Sequence, residues 1–224
     1  MPMNQTADIA EFSRYVSSFQ PQEYACTRRL AMYAAAIAVG DNDVMVRAIR
    51  KARDQKIRYR ELYEVVLQSY LFLGFPRMLN AADVLHETLK NTREGGTEAS
   101  ALDGDLGNWR KRGQELCRHV YGDAFEALRN RVKPMAPEIF DWMIFEGYGK
   151  VLSRPGLSIV NRELAIVAFL IVENQPRQLY SHMRGALNVG ASTQVLRLVI
   201  EDLSRSFVPG YRSACKILQQ LGVV

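Results

Sequence analysis

Residues 163–190, ELAIVAFLIVENQPRQLYSHMRGALNVG, decide the fold class. Apolar residues recur at spacings of three and four on both sides of Glu173-Asn174-Gln175, so the stretch reads as two helices. Pro176 stands in a first turn, where proline is tolerated, and Gly190 follows the last periodic residue, where glycine offers the left-handed conformation. A connection this short makes the two helices antiparallel neighbours. Gln178 and His182 are four apart and share a face, Gln175 lies at the helix entrance on the same side, and Glu163 belongs to the preceding helix.

Working outward, the same periodicity predicts helices over 24–39, 43–53, 58–73 and 76–92, then over 109–121, 123–133, 137–152, 161–172, 176–188, 193–207 and 209–221. Ser192 is placed to cap the helix that starts at Thr193. No segment alternates convincingly with period two, and an all-α protein is expected. Residues 91–108, NTREGGTEASALDGDLGN, are rich in Gly, Asp, Thr and Ser and cannot bury much surface. The chain therefore divides into an N-terminal unit (1–90), a linker (91–108) and a C-terminal unit (109–224).

The 224 residues, 48% of them hydrophobic, suffice for a substantial core. Lys and Arg number 29 against 24 Asp and Glu, a net charge of +5, but the basic residues are scattered through amphipathic segments. Nucleic acid is not expected as a partner. The first residues, MPMNQTADIAEF, lack a basic and apolar leader pattern, and no stretch approaches the roughly 18 apolar residues of a membrane span. The cytoplasm is the expected compartment, with no membrane partner. Cys26, Cys117 and Cys215 are three and widely spaced, which argues against a disulfide framework and against a zinc site. Glu115 and His119 are four apart, but one such pair does not make a metal site, and none is expected.

Sliding the chain by 134 residues lays 29–80 on 163–214 without a gap. Leu30, Ala31, Ala34, Ile37, Arg50, Ala52, Leu62 and Val65 then meet identical residues, and three predicted helix boundaries coincide. Glu163 falls opposite Arg29 and His182 opposite Ala48, so only the second copy carries these polar groups.

Across the helix hairpin, Glu163 and His182 can approach one another. A carboxylate beside an imidazole favours the imidazolium, which is how a general acid useful near neutral pH is made; the same two residues are equally a satisfied buried pair that specifies packing. Arg184 projects to another side of the helix from His182. Trp142 and Tyr148 read as packing between helices, and Tyr180 as a surface or interface residue.

The phrases Tyr148-Gly-Lys-Val-Leu-Ser-Arg-Pro-Gly-Leu157, Arg162-Glu-Leu164 and His182-Met-Arg-Gly-Ala-Leu-Asn-Val-Gly190 resemble those of the γ-carboxymuconolactone decarboxylase family, as do Arg112-Gly113 and Val120-Tyr-Gly-Asp123. The resemblance covers 112–214, and Phe72-Leu-Gly-Phe-Pro-Arg-Met-Leu-Asn80 resembles the family's end-of-repeat phrase. It implies an alkylhydroperoxidase D-like helical fold of two tandem repeats, the first degenerate, assembled as a homotrimer. In the peroxidase branch a glutamate precedes a CxxC pair and a histidine follows it; Glu163 and His182 stand at matching spacing, while Gln175 and Gln178 replace both cysteines. An amide cannot be oxidised and reduced as a thiol is, so a thiol peroxidase is not expected.

The decarboxylase branch implies a reaction without metal or organic cofactor on a small anionic lactone or carboxylic acid, in which loss of a carboxylate leaves a dienolate that is then protonated. His182 is the implied acid, Glu163 its orienter, and Arg184 or Arg162 the holder of the substrate anion, with Gln175 and Gln178 lining the pocket. Arg162 and Arg184 are equally candidates for subunit-interface salt bridges, and Arg154, before Pro155-Gly156, for fixing a turn. The other reading is an oligomeric binding or scaffold protein that keeps the fold without the chemistry.

Overall fold

A computed structural model describes residues 5–91 and 106–223, and these are all-helical, with no strand among the described residues. In chain order the helices are α1 (Gln5–Ser18), α2 (Ala25–Val39), α3 (Asn42–Asp54), α4 (Tyr59–Leu89), α5 (Leu106–Tyr121), α6 (Phe125–Val132), α7 (Pro137–Trp142), α8 (Ile159–Val172), α9 (Pro176–Asn188), α10 (Thr193–Asp202) and α11 (Val208–Gln220). A 3₁₀ turn, Gly122–Ala124, joins α5 to α6, and α7 runs on into a π-helical segment, Met143–Leu152.

The centre of the molecule is α2 packed along α8. Leu30–Ala38 and Arg162–Ile171 are buried at every position, as expected of helices that are apolar all round. Five buried alanines in α2 (Ala31, Ala34, Ala35, Ala36 and Ala38) leave little side chain between the axes. α3, α4, α9, α10 and α11 wrap this pair, and a single apolar cluster joins the two units separated by the linker. The starts of α3, α8 and α10 are fixed locally. Asp41 accepts from Val44 N at 3.0 Å, Ser158 from Asn161 N at 3.2 Å and Ser192 from Val195 N at 3.1 Å, each supplying an acceptor for an otherwise orphan amide.

The helical segments match the periodicity with instructive departures. The helices expected over 58–73 and 76–92 form one element bent at Gly74, whose φ of 79° and ψ of 165° only glycine adopts easily, with Pro76 starting the second limb. α1 was not among the expected helices; Phe12, Val16 and Phe19 pin it to the core. α5 already begins at Leu106, inside the stretch assigned to the linker, and the rest of that stretch, 92–105, lies outside the described residues.

The 134-residue correspondence recurs in three dimensions. Shifted by 134, α3 coincides with α9 at both ends, and the starts of α2 and α4 coincide with those of α8 and α10. Thr27 Oγ1 donates to Asn161 Oδ1 at 2.9 Å, a contact between corresponding positions. Arg28 binds Asp202 through two nitrogens at 2.6 and 2.8 Å, and its counterpart Arg162 binds Gln68, the counterpart of Asp202, at 3.3 Å.

Candidate functional site

The wall of the site is made by two helices that touch backbone to backbone. A Cβ on Gly113 of α5 would lie 1.9 Å from the Ile144 carbonyl oxygen, and one on Gly149 would lie 2.0 Å from that of Trp109. Only glycine fits at either place, which is the physical reason for Arg112-Gly113 and Tyr148-Gly149 in the sequence. The π-helical segment widens the same wall; such insertions are frequent at functional sites. Glu146, Gly147, Tyr148 and Leu152 on it line a cavity of about 500 Å³, within the range of small-molecule sites.

At the cavity wall lies the Glu163–His182 pair. Glu163 is fully buried and its Oε2 is 2.8 Å from His182 Nδ1, while His182, 7% exposed, lines the cavity. The carboxylate thus fixes the ring through Nδ1, and Nε2 makes no hydrogen bond to a described residue. Phe72, from α4, sets its ring edge against the imidazole at 5.3 Å and 82°, a second restraint on its orientation. Gly185, one turn beyond His182, is where the carboxylate crosses α9: a Cβ there would stand 3.0 Å from Glu163 Oε2 and 2.7 Å from Val120 Cγ1.

The thiol and phenols nearest Glu163 are neutral. Burial, followed by the nearby charge of Glu163, pushes the Cys117 thiol up to about 12. Burial likewise raises Tyr121 to about 12 and holds Tyr148 well above its ordinary value. Thiol and phenols therefore stay protonated at neutral pH, leaving His182 as the only ion-pair partner of Glu163 among the described residues. Glu163 Oε1 has no hydrogen-bond partner among the described residues.

The other residues singled out in the sequence divide. Gln178 lines the cavity one turn before His182, whereas Gln175 is exposed at the start of α9 and does not line it. Arg162 is fully buried on the opposite side of α8: its Nη2 meets Glu64 Oε2 at 2.9 Å and the Arg154 carbonyl at 2.8 Å. Neighbours on a helix point about 100° apart, so Arg162 faces α4 while Glu163 faces α9. Arg154 also pairs with Glu64, at 3.1 Å, tying the turn before α8 to α4. Arg184 lines a smaller adjoining cavity of about 220 Å³ with Ser181 and Tyr180. Trp142 and Tyr148, expected as packing, both line the main cavity, and Trp142 is 55% exposed.

Two arginines were missed. Arg177, beside Gln178, and Arg131, at the end of α6, stand exposed at the main cavity without a hydrogen bond or ion pair among the described residues. The spacing of Arg177, Ser181 and Arg184 along one side of α9 was the available signal for the first. Nothing in the local sequence marks Arg131, because α6 reaches the site only through the tertiary fold. Among the described residues no three His, Cys, Asp or Glu gather as a metal site, and no helix is long and apolar enough to cross a membrane.

Among known proteins, no family profile matches the chain. Over 139 residues it is 30% identical to Peroxisomal protein 2 of Schizosaccharomyces pombe, a stretch that spans 61% of this chain and 63% of that protein.

Proposed function

We propose that the chain is a cofactor-free acid–base enzyme of carboxymuconolactone decarboxylase type, acting on a small anionic lactone or carboxylic acid. The observation that carries this reading is the His182 ring held by Glu163 at 2.8 Å while lining a cavity of about 500 Å³. In the proposed step the bond from carbon to the departing carboxylate breaks, its electron pair enters a delocalised dienolate, and His182 Nε2–H gives its proton to a carbon of that dienolate. Glu163 holds the ring through Nδ1 and keeps Nε2 aimed at the cavity.

The internal correspondence between α2–α3 and α8–α9 supports an alkylhydroperoxidase D-like fold of two tandem repeats. A thiol peroxidase is disfavoured by the same site: Gln178 lines the cavity where that branch has a cysteine, and the nearby Cys117 thiol is buried and neutral. Assembly as a homotrimer and residence in the cytoplasm belong to the proposal. Light scattering at the mass of one 25.4 kDa chain would remove the trimer. The fungal relative's name refers to peroxisomes, so a fluorescent fusion coinciding with a peroxisomal marker would remove the cytoplasm.

The test is a thermal-shift screen of lactones and carboxylic acids on wild type, His182→Ala and Glu163→Gln, followed by assay of carbon dioxide release. A ligand at about 100 times its dissociation constant adds roughly 2.7 kcal/mol to stability. The expected result is a ligand that stabilises all three proteins and is turned over by wild type, with Glu163→Gln retaining less than a tenth of the rate and His182→Ala none. Ligand binding without turnover in wild type would leave a binding or scaffold protein.

A further inference from the structure

The lining of the main cavity specifies more about its occupant than an anionic charge. Leu128, Val132, Met143 and Leu152 form apolar walls, and Met135, Ile139 and Trp142 carry the apolar surface outward, exposed by 70%, 54% and 55%. Large apolar side chains left this open beside a cavity mark a surface that receives an apolar ligand. Arg131 and Arg177 add two guanidinium groups with no partner among the described residues. The one acid in the lining, Glu146, is already engaged, accepting from the Tyr70 hydroxyl at 3.0 Å with Lys150 Nζ at 3.8 Å.

A small polar lactone would leave most of this apolar surface wet. We infer that the cavity takes an amphipathic carboxylate, its head held by Arg131 and Arg177 and its apolar body lying along Leu128, Val132, Met143 and Trp142. The inference rests on the acid–base reading for the identity of the site and adds the class of molecule that fills it. A planar guanidinium pair suits a carboxylate, which accepts bidentate hydrogen bonds. The body then reaches the wall where His182 and Tyr148 stand. Gly147 offers a way to probe this space, because a Cβ there meets nothing within 4 Å and the residue lines the cavity.

The experiment is calorimetric titration of the full chain with acetate, hexanoate, octanoate, decanoate and the uncharged decanol. Proteins compared are wild type, Gly147→Leu and the double variant Arg131→Gln/Arg177→Gln, each checked for unchanged helical circular dichroism. In wild type the dissociation constant should fall roughly fourfold per added methylene, the factor that corresponds to burying one. Decanoate should bind at least tenfold tighter than decanol. Gly147→Leu should flatten the dependence on chain length, and the double arginine variant should abolish the preference for decanoate over decanol while still binding decanol.

Acetate binding as tightly as decanoate, or an arginine variant that keeps the full preference, would overturn the inference while leaving the acid–base reading intact. The opposite failure is separable through the ring ¹⁵N resonances of His182. The expected chain-length series with those resonances unmoved by decanoate would uphold the amphipathic ligand and remove His182 from its chemistry. Absence of binding by any of these acids to folded wild type would overturn the inference, and the separate lactone screen would still decide the acid–base reading.

Discussion

Glu64 decides whether Arg162 is a structural cation or a substrate arm. It is fully buried on α4 and meets three arginines, Arg162 at 2.9 Å, Arg60 at 3.0 Å and Arg154 at 3.1 Å. In Glu64→Leu, Arg60 and Arg154 can turn to water, being 29% and 19% exposed, but Arg162 has no exposure at all. It keeps only Gln68 at 3.3 Å and the Arg154 carbonyl at 2.8 Å, both neutral. Removing one partner of a buried ion pair costs about 3–5 kcal/mol, mostly because the other charge is stranded. That is a large part of the 5–15 kcal/mol typical of a whole protein. For a chain of this size each kcal/mol lowers the melting temperature by about 2–4 °C, so a fall of roughly 6–20 °C is expected. Urea unfolding followed by circular dichroism measures it. Replacing both groups, Glu64→Leu/Arg162→Met, should recover most of the loss, since an apolar pair leaves no charge behind. A Glu64→Leu protein within 1 kcal/mol of wild type would refute the reasoning. So would an Arg162→Met protein of wild-type stability that loses affinity for carboxylates, which would make Arg162 a ligand-binding residue.

Further predictions concern the site and its walls. Gly185→Ala places a methyl 2.7 Å from Val120 Cγ1 and 3.0 Å from Glu163 Oε2, and should cost about 1–3 kcal/mol and weaken turnover by displacing the carboxylate. Thermal melts and carbon dioxide release together check it; full activity would show that Glu163 is not held there. Gly113→Ala drives a methyl into the Ile144 carbonyl and should open the cavity wall, read as loss of near-ultraviolet circular dichroism. The buried Cys117 and the half-buried Tyr121 are raised to about 12 when folded, from 9.0 and 10.0. The folded state therefore binds more protons than the unfolded one between these values, and stability must fall as pH climbs from about 9 toward 12 while remaining flat from this source near neutrality. Urea midpoints at successive pH values should show that decline, and Cys117→Ala should make it shallower.

The legible parts of this protein were those written in local spacing. Period-three-and-four apolar positions located α2, α3, α8 and α9 to within a residue or two, because a helix must bury one face and that requirement is read directly from sequence. α1 escaped because a few apolar residues, Phe12 and Val16 with Phe19 just beyond its end, bury against the core on a helix that is otherwise mostly polar, a weak signal until the surface they cover is known. The π-helical segment was invisible for another reason: its widened turn forms against α5, through Gly113 and Gly149, and no local pattern announces that contact.

By itself the sequence determined an all-helical chain, an internal correspondence at 134 residues, and a Glu and a His on adjacent helices that can approach each other across a short hairpin. Local chemistry suffices for these, since caps, prolines and periodicity act within a few turns. Tertiary structure alone decided which arginine goes where. Arg162 and Glu163 are neighbours in the chain, yet helix geometry sends one to Glu64 and the other to His182, while Arg131, 51 positions from His182, arrives at the cavity on a separate helix. A charged side chain carries no local mark of its partner, because its energy depends on what the fold brings within a few ångströms and on how much water remains there.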